Sequence, residues 1–373
     1  MAEKRTDERE AGEPRRRVFG SLLATNSAFI FLILGALLLV FTALQGTAFL
    51  SLENFSNIAV DASELLLLGV GLTFVIITAG IDLSVGSVLV FSSVVAAQVM
   101  VNLSGTPEQV QNYQFPNQSV GIPVGIAAGL LAGLLCGIIN GLLITKLKMP
   151  AFIVTLGTLG MALGAAQILS GGSNVAYVPT AMQAQIGARE LFGFLPVPVL
   201  ITLVVVIIAA LALSLTTFGR YTYAIGSNVE AARRVGINVD RHLLKVYALS
   251  GFLAGLAGIV DVARFNTASV GAHASDNLAA ISAVVIGGTS LFGGIGTIVG
   301  TVIGLFIPAV LQNGFVIMGV QPFWQQVVVG AFLIVAVYVD QVRRAAAARG
   351  ASARRPLLSR LSRPARARRK ETQ

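Results

Sequence analysis

The sequence predicts an all-α, polytopic membrane protein with about ten transmembrane helices, some of them broken or re-entrant. Three observations carry this. The 373 residues are 55% hydrophobic and only 12% charged, too little charge to cover a soluble domain of that size. The 40 glycines suit helices packed closely inside a membrane. Apolar runs recur along the chain, each near the roughly 20 residues needed to cross the hydrocarbon.

Taken in order, residues 1–26 read as a cytoplasmic tail that includes Arg15, Arg16 and Arg17. Residues 27–340 read as the transmembrane domain, with a polar loop at 217–245, and residues 341–373 as a basic cytoplasmic tail. The first apolar run, 29–44, is an anchor rather than a signal peptide, because no small-residue cleavage site stands out and further spans follow. Nine more spans are expected at 65–80, 85–101, 122–144, 151–169, 197–215, 243–262, 278–291, 295–311 and 323–339. Gly80-Ile81-Asp82 and Phe292-Gly293-Gly294 leave almost no loop between their spans. Those two pairs are alternatively broken or re-entrant helices buried in protein.

Charge tests the topology. With the N-terminus inside and spans alternating, 24 of the 26 Lys and Arg residues fall on the inner side; the exceptions are Arg189 and Arg264. That is the positive-inside pattern, and an odd number of spans breaks it. A multi-pass membrane protein with both termini cytoplasmic follows. The net charge of +9 then reflects topology and attraction to anionic lipid; no nucleic-acid partner is indicated. The outer segments 102–121 and 171–194 are polar with few charges, long enough to form a shaped surface. The single cysteine, Cys136, allows no intrachain disulfide.

Ionisable groups at membrane depth are functional candidates by default. Asp82 is the sharpest, set in a stretch with Gly80, Ser84, Gly86 and Ser87 that allows the backbone to break. Asp82, or Ser84 in its place, is expected to cap the next helix; direct substrate contact is the second reading. Asp61 and Glu64 are expected at a solvated interface. Asp261, Arg264, His273 and Asp276 lie near outer span ends, paired with each other or facing an outside partner.

The polar loop holds the densest internal cluster of positive charge. Ser227 to Glu230 has capping-box spacing, and Glu230 stands four residues before Arg234. Ala231, Ala232, Arg233 and Arg234 favour helix, and Gly236 suits a left-handed cap. A helix of about two turns is too short to be stable alone. It is either a solvated loop helix or a docking knob for a cytoplasmic partner.

Enzyme chemistry finds no support. His242 and His273 fall on opposite sides, so no shared metal set is indicated, and no phosphate-binding G-x-x-x-x-G-K-[ST] loop is present. No cofactor site is expected on this chain. Uphill transport then draws on a gradient or on another polypeptide. Gradient-driven carriers usually keep ionisable groups near the midplane, and here the midplanes are almost charge-free.

Four separated segments resemble one family. GIDLSVGS at 80–87, NGLLITKLKMPAFIVTLGTLGMALGAAQILSGG at 140–172, FGRYTYAIGSNVEAARRVGINV at 218–239 and DNLAAISAVVIGGTSLFGGIGTIVGTVIG at 276–304 are similar to the membrane subunits of ATP-binding-cassette importers for simple sugars, the ribose and xylose permease type. The resemblance implies a homodimer or heterodimer of permease subunits, an ATPase subunit that holds ATP and Mg, and an extracytoplasmic sugar-binding protein. It implies that Asn228 to Gly236 is the coupling helix seated in the ATPase, with Ser227 preceding it, and that Gly80, Asp82, Ser84, Gly86 and Ser87 line or shape the translocation path. Alternatives are a nucleoside or branched-chain amino-acid permease of the same superfamily, a gradient-driven carrier working alone, and a non-transporting scaffold.

Overall fold

A computed structural model describes residues 26–321 apart from residue 274, and scattered positions between 323 and 338. Residues 1–25 and 341–373 of the two expected tails, and eight of the 17 positions of the expected tenth span, lie outside the described residues. The regular structure of the described residues is helical save for a hairpin of two two-residue strands, Glu190–Leu191 with Leu195–Pro196, and one isolated bridge, Val175 with Ala268. Its helices are α1 (Asn26–Gln45), α2 (Leu52–Ile77), α3 (Val85–Ser104), α4 (Pro107–Gln111), α5 (Gln118–Thr145) and α6 (Ala151–Ser170). They continue with α7 (Val197–Leu215), α8 (Thr217–Ser227), α9 (Val229–Arg234), α10 (Val239–Phe265), α11 (Asp276–Ile286) and α12 (Ile298–Ile317). Eight of these are long and apolar enough to cross a membrane.

The expected eighth span takes the alternative form read for it, a broken helix whose chain still runs on to Gly294 beside Ile77. Residues 278–291 carry no charge and are mostly apolar, but α11 stops at Ile286 after 11 residues, where Gly287 and Gly288 (φ +94°) turn the chain. At about 1.5 Å per residue such a helix falls well short of the hydrocarbon thickness. A correction concerns the start of the second span. Ser51 caps α2 by accepting from the Asn54 amide at 3.1 Å, so the helix begins 13 residues before the expected start at 65.

α2 is the buried centre: 94% of its apolar window is enclosed, by α10, α7, α11 and α12. α10 packs against α2, α3 and α5, and α12 joins α2 to α1. The α5 contact has a simple cause. Glycine recurs at every fourth position, at 121, 125, 129, 133, 137 and 141, forming one smooth stripe along the helix. A Cβ on Gly133 would sit 2.5 Å from the Gly251 carbonyl oxygen and 2.7 Å from the Gly255 Cα of α10. Without side chains between them, the two backbones meet directly.

The segments expected to share a membrane side do meet. At one end, Val175 pairs with Ala268, and the Tyr113 and Tyr177 rings lie 5.3 Å apart. At the other end, Lys148 bonds Asp240 at 2.8 Å, and Ser227 packs against Gly294.

Candidate functional site

The short helix α9 runs over six residues. Its N-cap is Asn228, in extended backbone, whose Oδ1 accepts from the Ala231 amide at 2.9 Å. This corrects the capping box: Ser227 is the last residue of α8, so its hydroxyl is one position too early. The Glu230 pairing is corrected as well. Glu230 meets Arg233 at 3.4 Å, and Arg233 reaches on to Asp240 at 3.6 Å. All these groups are solvent-facing, so the pairs add little stability.

The end of α9 behaves as expected. Gly236 has φ +85°. The Gly236 amide donates to the Arg233 carbonyl (3.0 Å) and the Ile237 amide to the Ala232 carbonyl (3.1 Å), the two bonds of a Schellman motif. Ala232 is buried with Ile225 and Val239, and Val229, Ile237 and Leu243 close around them. Tertiary burial thus holds a helix too short to stand alone. Its outer side, with Glu230, Arg233, Arg234 and Val235, is exposed.

What lies beneath this knob was not legible beforehand. Gly226, two residues before the N-cap, sits against the Ile77 carbonyl and the Gly294 amide, so closely that a Cβ there would overlap both. Gly294 donates to the Ile77 carbonyl at 2.8 Å, and the Tyr223 hydroxyl donates to the Gly296 carbonyl at 2.6 Å. Burial pushes the Tyr223 hydroxyl pKa up, which keeps it a donor. Hence α8, which leads straight into α9, rests on both chain breaks, the one after α2 and the one before α12.

The first break carries the expected path residues. Asp82 is 1% exposed. Its Oδ1 accepts from the Ser84 amide (3.0 Å) and hydroxyl (2.6 Å), and its Oδ2 accepts from the Ser250 hydroxyl (2.9 Å). Neither Asp82 nor Ser84 makes a side-chain cap to the first-turn amides of α3, which corrects that expectation. Asn140 donates to the Ser84 hydroxyl (3.0 Å) and accepts from Thr158 (2.5 Å). One chain of hydrogen bonds thus ties the break to α5, α6 and α10. Ser87 and Gly86 are buried just beyond, Gly86 against the His273 carbonyl, and Gly80 is covered by the Tyr247 hydroxyl.

Farther from α9, Asp61, Glu64, Asp261, Arg264, His273 and Asp276 gather beside the middle of α2, with the His273 carbonyl against Gly86 of α3. Arg264 pairs with Asp61 and lies 3.6 Å from Glu64. His273 bonds Asp261 through Nε2 (3.0 Å) and Asp276 through Nδ1 (2.7 Å). Burial works against charge on His273, but the two carboxylate hydrogen bonds outweigh it and push its pKa up to about 11. Glu64 is only 5% exposed rather than solvated, which corrects its expected interfacial position. The early start of α2 makes residue 64 a mid-helix position facing the interior.

Comparison with known proteins now bears on this arrangement. The family described as branched-chain amino acid transport system / permease component matches residues 54–337. The ribose import permease protein RbsC of Bacillus subtilis is 37% identical, over 89% of this chain and 98% of its own length. The fructose import permease protein FrcC of Rhizobium meliloti is 34% identical, over 87% and 88%. The xylose transport system permease protein XylH of Escherichia coli is 32% identical, over 92% and 99%. No solved structure matches the chain. Matched over most of its length by the family and by these relatives, the chain belongs to the permease family of ATP-binding-cassette importers.

Proposed function

We propose that this permease carries a neutral monosaccharide of the ribose or xylose kind inward across the bacterial plasma membrane, driven by ATP hydrolysis on a partner ATPase docked against α9. The relatives' names support the substrate class. The observation that carries the drive is the seating of Gly226 on both Ile77 and Gly294. A push on α9 passes through α8 directly into the two places where α2 and the α11–α12 segment break. Packed elements of this kind move as rigid bodies about such breaks.

In this reading Ser227, Asn228, Glu230, Ala231, Ala232, Arg233, Arg234 and Gly236 form or frame the coupling knob. Both termini are cytoplasmic, a sugar-binding protein docks on the far face, and a second permease copy completes the path. ATP and Mg stay on the partner. Gly80, Asp82, Ser84, Gly86 and Ser87 shape the path as its frame, since the Asp82 carboxylate is already engaged by Ser84 and Ser250. A carboxylate so occupied is a poor partner for a zwitterion, which favours a neutral sugar over an amino acid.

The test is uptake into proteoliposomes holding the full chain, with and without its co-purifying ATPase and binding protein. ATP-dependent uptake of labelled ribose or xylose, lost when either partner is omitted, is the expected result. Uptake by the chain alone under an ion gradient overturns the proposal.

A further inference from the structure

The cluster beside the middle of α2, away from α9, lines a cavity of about 410 Å³. Asp61, Glu64, Asp261 and Asp276 present four carboxyl groups there, against two cationic side chains, Arg264 and His273. Glu64, Asp261 and His273 each offer one ligand atom, all within 4.8 Å of one another. Two further facts set this apart from an ordinary acidic patch. Glu64 is 5% exposed, and its Oε1 has no hydrogen-bond partner; the nearest cation, Arg264, stands at 3.6 Å and is already engaged by Asp61. A buried carboxyl oxygen that accepts no hydrogen bond is costly, and a guanidinium 3.6 Å away that is shared with Asp61 offsets only part of that cost. His273, in turn, is held as a metal-ligating histidine usually is. Its Nδ1 is bonded to the Asp276 carboxylate at 2.7 Å, which leaves Nε2 to face Asp261 and Glu64.

We infer that Glu64, Asp261 and His273 form a binding site for a divalent first-row transition ion of the zinc or manganese kind. One imidazole nitrogen with two carboxylate oxygens suits such ions better than magnesium or calcium, which prefer oxygen alone. The ion takes the place of the proton that Nε2 now shares with Asp261, and that proton leaves to solvent. Three protein ligands leave the remaining coordination positions to water in the cavity. Drawing the donors to about 2.0–2.2 Å from an ion needs a modest inward turn of the Glu64 side chain. Arg264 keeps its partner, Asp61. The bound ion staples α2, α10 and the segment before α11, whose ligands are spread from residue 64 to residue 273. That spread is why no metal spacing shows in the sequence.

The experiment is metal analysis of the untagged full chain in detergent, after exposure to Zn²⁺ or Mn²⁺ and desalting, with thermal unfolding in the same ions and in EDTA. The expected result is about one equivalent of one of these ions per chain. A rise in Tm of about 2–4 °C over the EDTA sample accompanies it. Glu64→Gln keeps the shape of the side chain and lowers affinity about tenfold or more. Glu108→Gln, on the exposed α4, leaves binding unchanged. Substoichiometric metal in the natural chain, or equal binding by Glu64→Gln, overturns the site. Because the natural chain is assayed directly, a variant that folds poorly does not decide the question.

Discussion

The Gly294 amide donates to the Ile77 carbonyl at 2.8 Å, joining two chain breaks that lie 217 residues apart in sequence. Gly226 fills the space beside that bond. Any side chain there separates the breaks or lifts α8 away from them. Gly226→Ala is therefore expected to destabilise the permease by about 1–3 kcal/mol, the usual cost of overpacking. ATP-driven uptake falls with it. Thermal unfolding in detergent and uptake in proteoliposomes measure the two effects, and an unchanged Tm refutes the packing.

The cap of α9 separates two neighbours. Asn228→Ala removes the acceptor for the Ala231 amide and costs the helix about 1 kcal/mol. Ser227→Ala leaves that bond in place. Hydrogen exchange across 229–236 is expected to quicken in the first variant and stay unchanged in the second. Equal exchange in both returns the cap to Ser227.

Asp82 holds three hydrogen bonds at the first break. Asp82→Ala leaves the Ser84 and Ser250 hydroxyls without their acceptor and is expected to cost about 1–3 kcal/mol. Ser250→Ala removes one donor and costs less. If Asp82 frames the path, Asp82→Asn reduces stability while the order of preference among sugars stays the same. A changed preference in uptake competition assigns it to substrate contact instead.

Two glycines of the same type have opposite surroundings. Gly133 faces the backbone of α10, whereas a Cβ on Gly157 of α6 would meet nothing within 4 Å. Gly133→Val is expected to abolish accumulation of folded protein, and Gly157→Ala to be tolerated. Yield and monodispersity on size exclusion, compared side by side, check both.

Hydropathy was sufficient where the chain ends its helices with ordinary signals. The expected span 197–215 matches α7 at both ends, because Pro196 precedes it and Thr216 turns extended after it. It failed where backbone chemistry overrides apolarity. The apolar run 278–291 hides Gly287 and Gly288, which stop α11 early. The polar start of α2, capped by Ser51, was invisible to a window tuned to apolar runs, so Glu64 was placed at the wrong depth. The α9 knob was legible from the Ser227 to Glu230 spacing, one residue off the true cap, and from the alanines and Gly236, all local in sequence. The bonds that give it leverage were not, since Gly226 meets Ile77 and Gly294 only through the tertiary fold. The partners of Asp82 had the same difficulty: Asn140, Thr158 and Ser250 sit on three different helices.

The fourfold glycine spacing of α5 has one more outcome. At Gly133 and Gly137 the two rods touch peptide to peptide and cannot ratchet past one another by exchanging side-chain rotamers, since no side chains stand between them there. α5 and α10 are thus a keel, with α3 planked against them. Whatever alternation the transport cycle needs has its give elsewhere, in the short stretches where α2 and α11 let go of helical form.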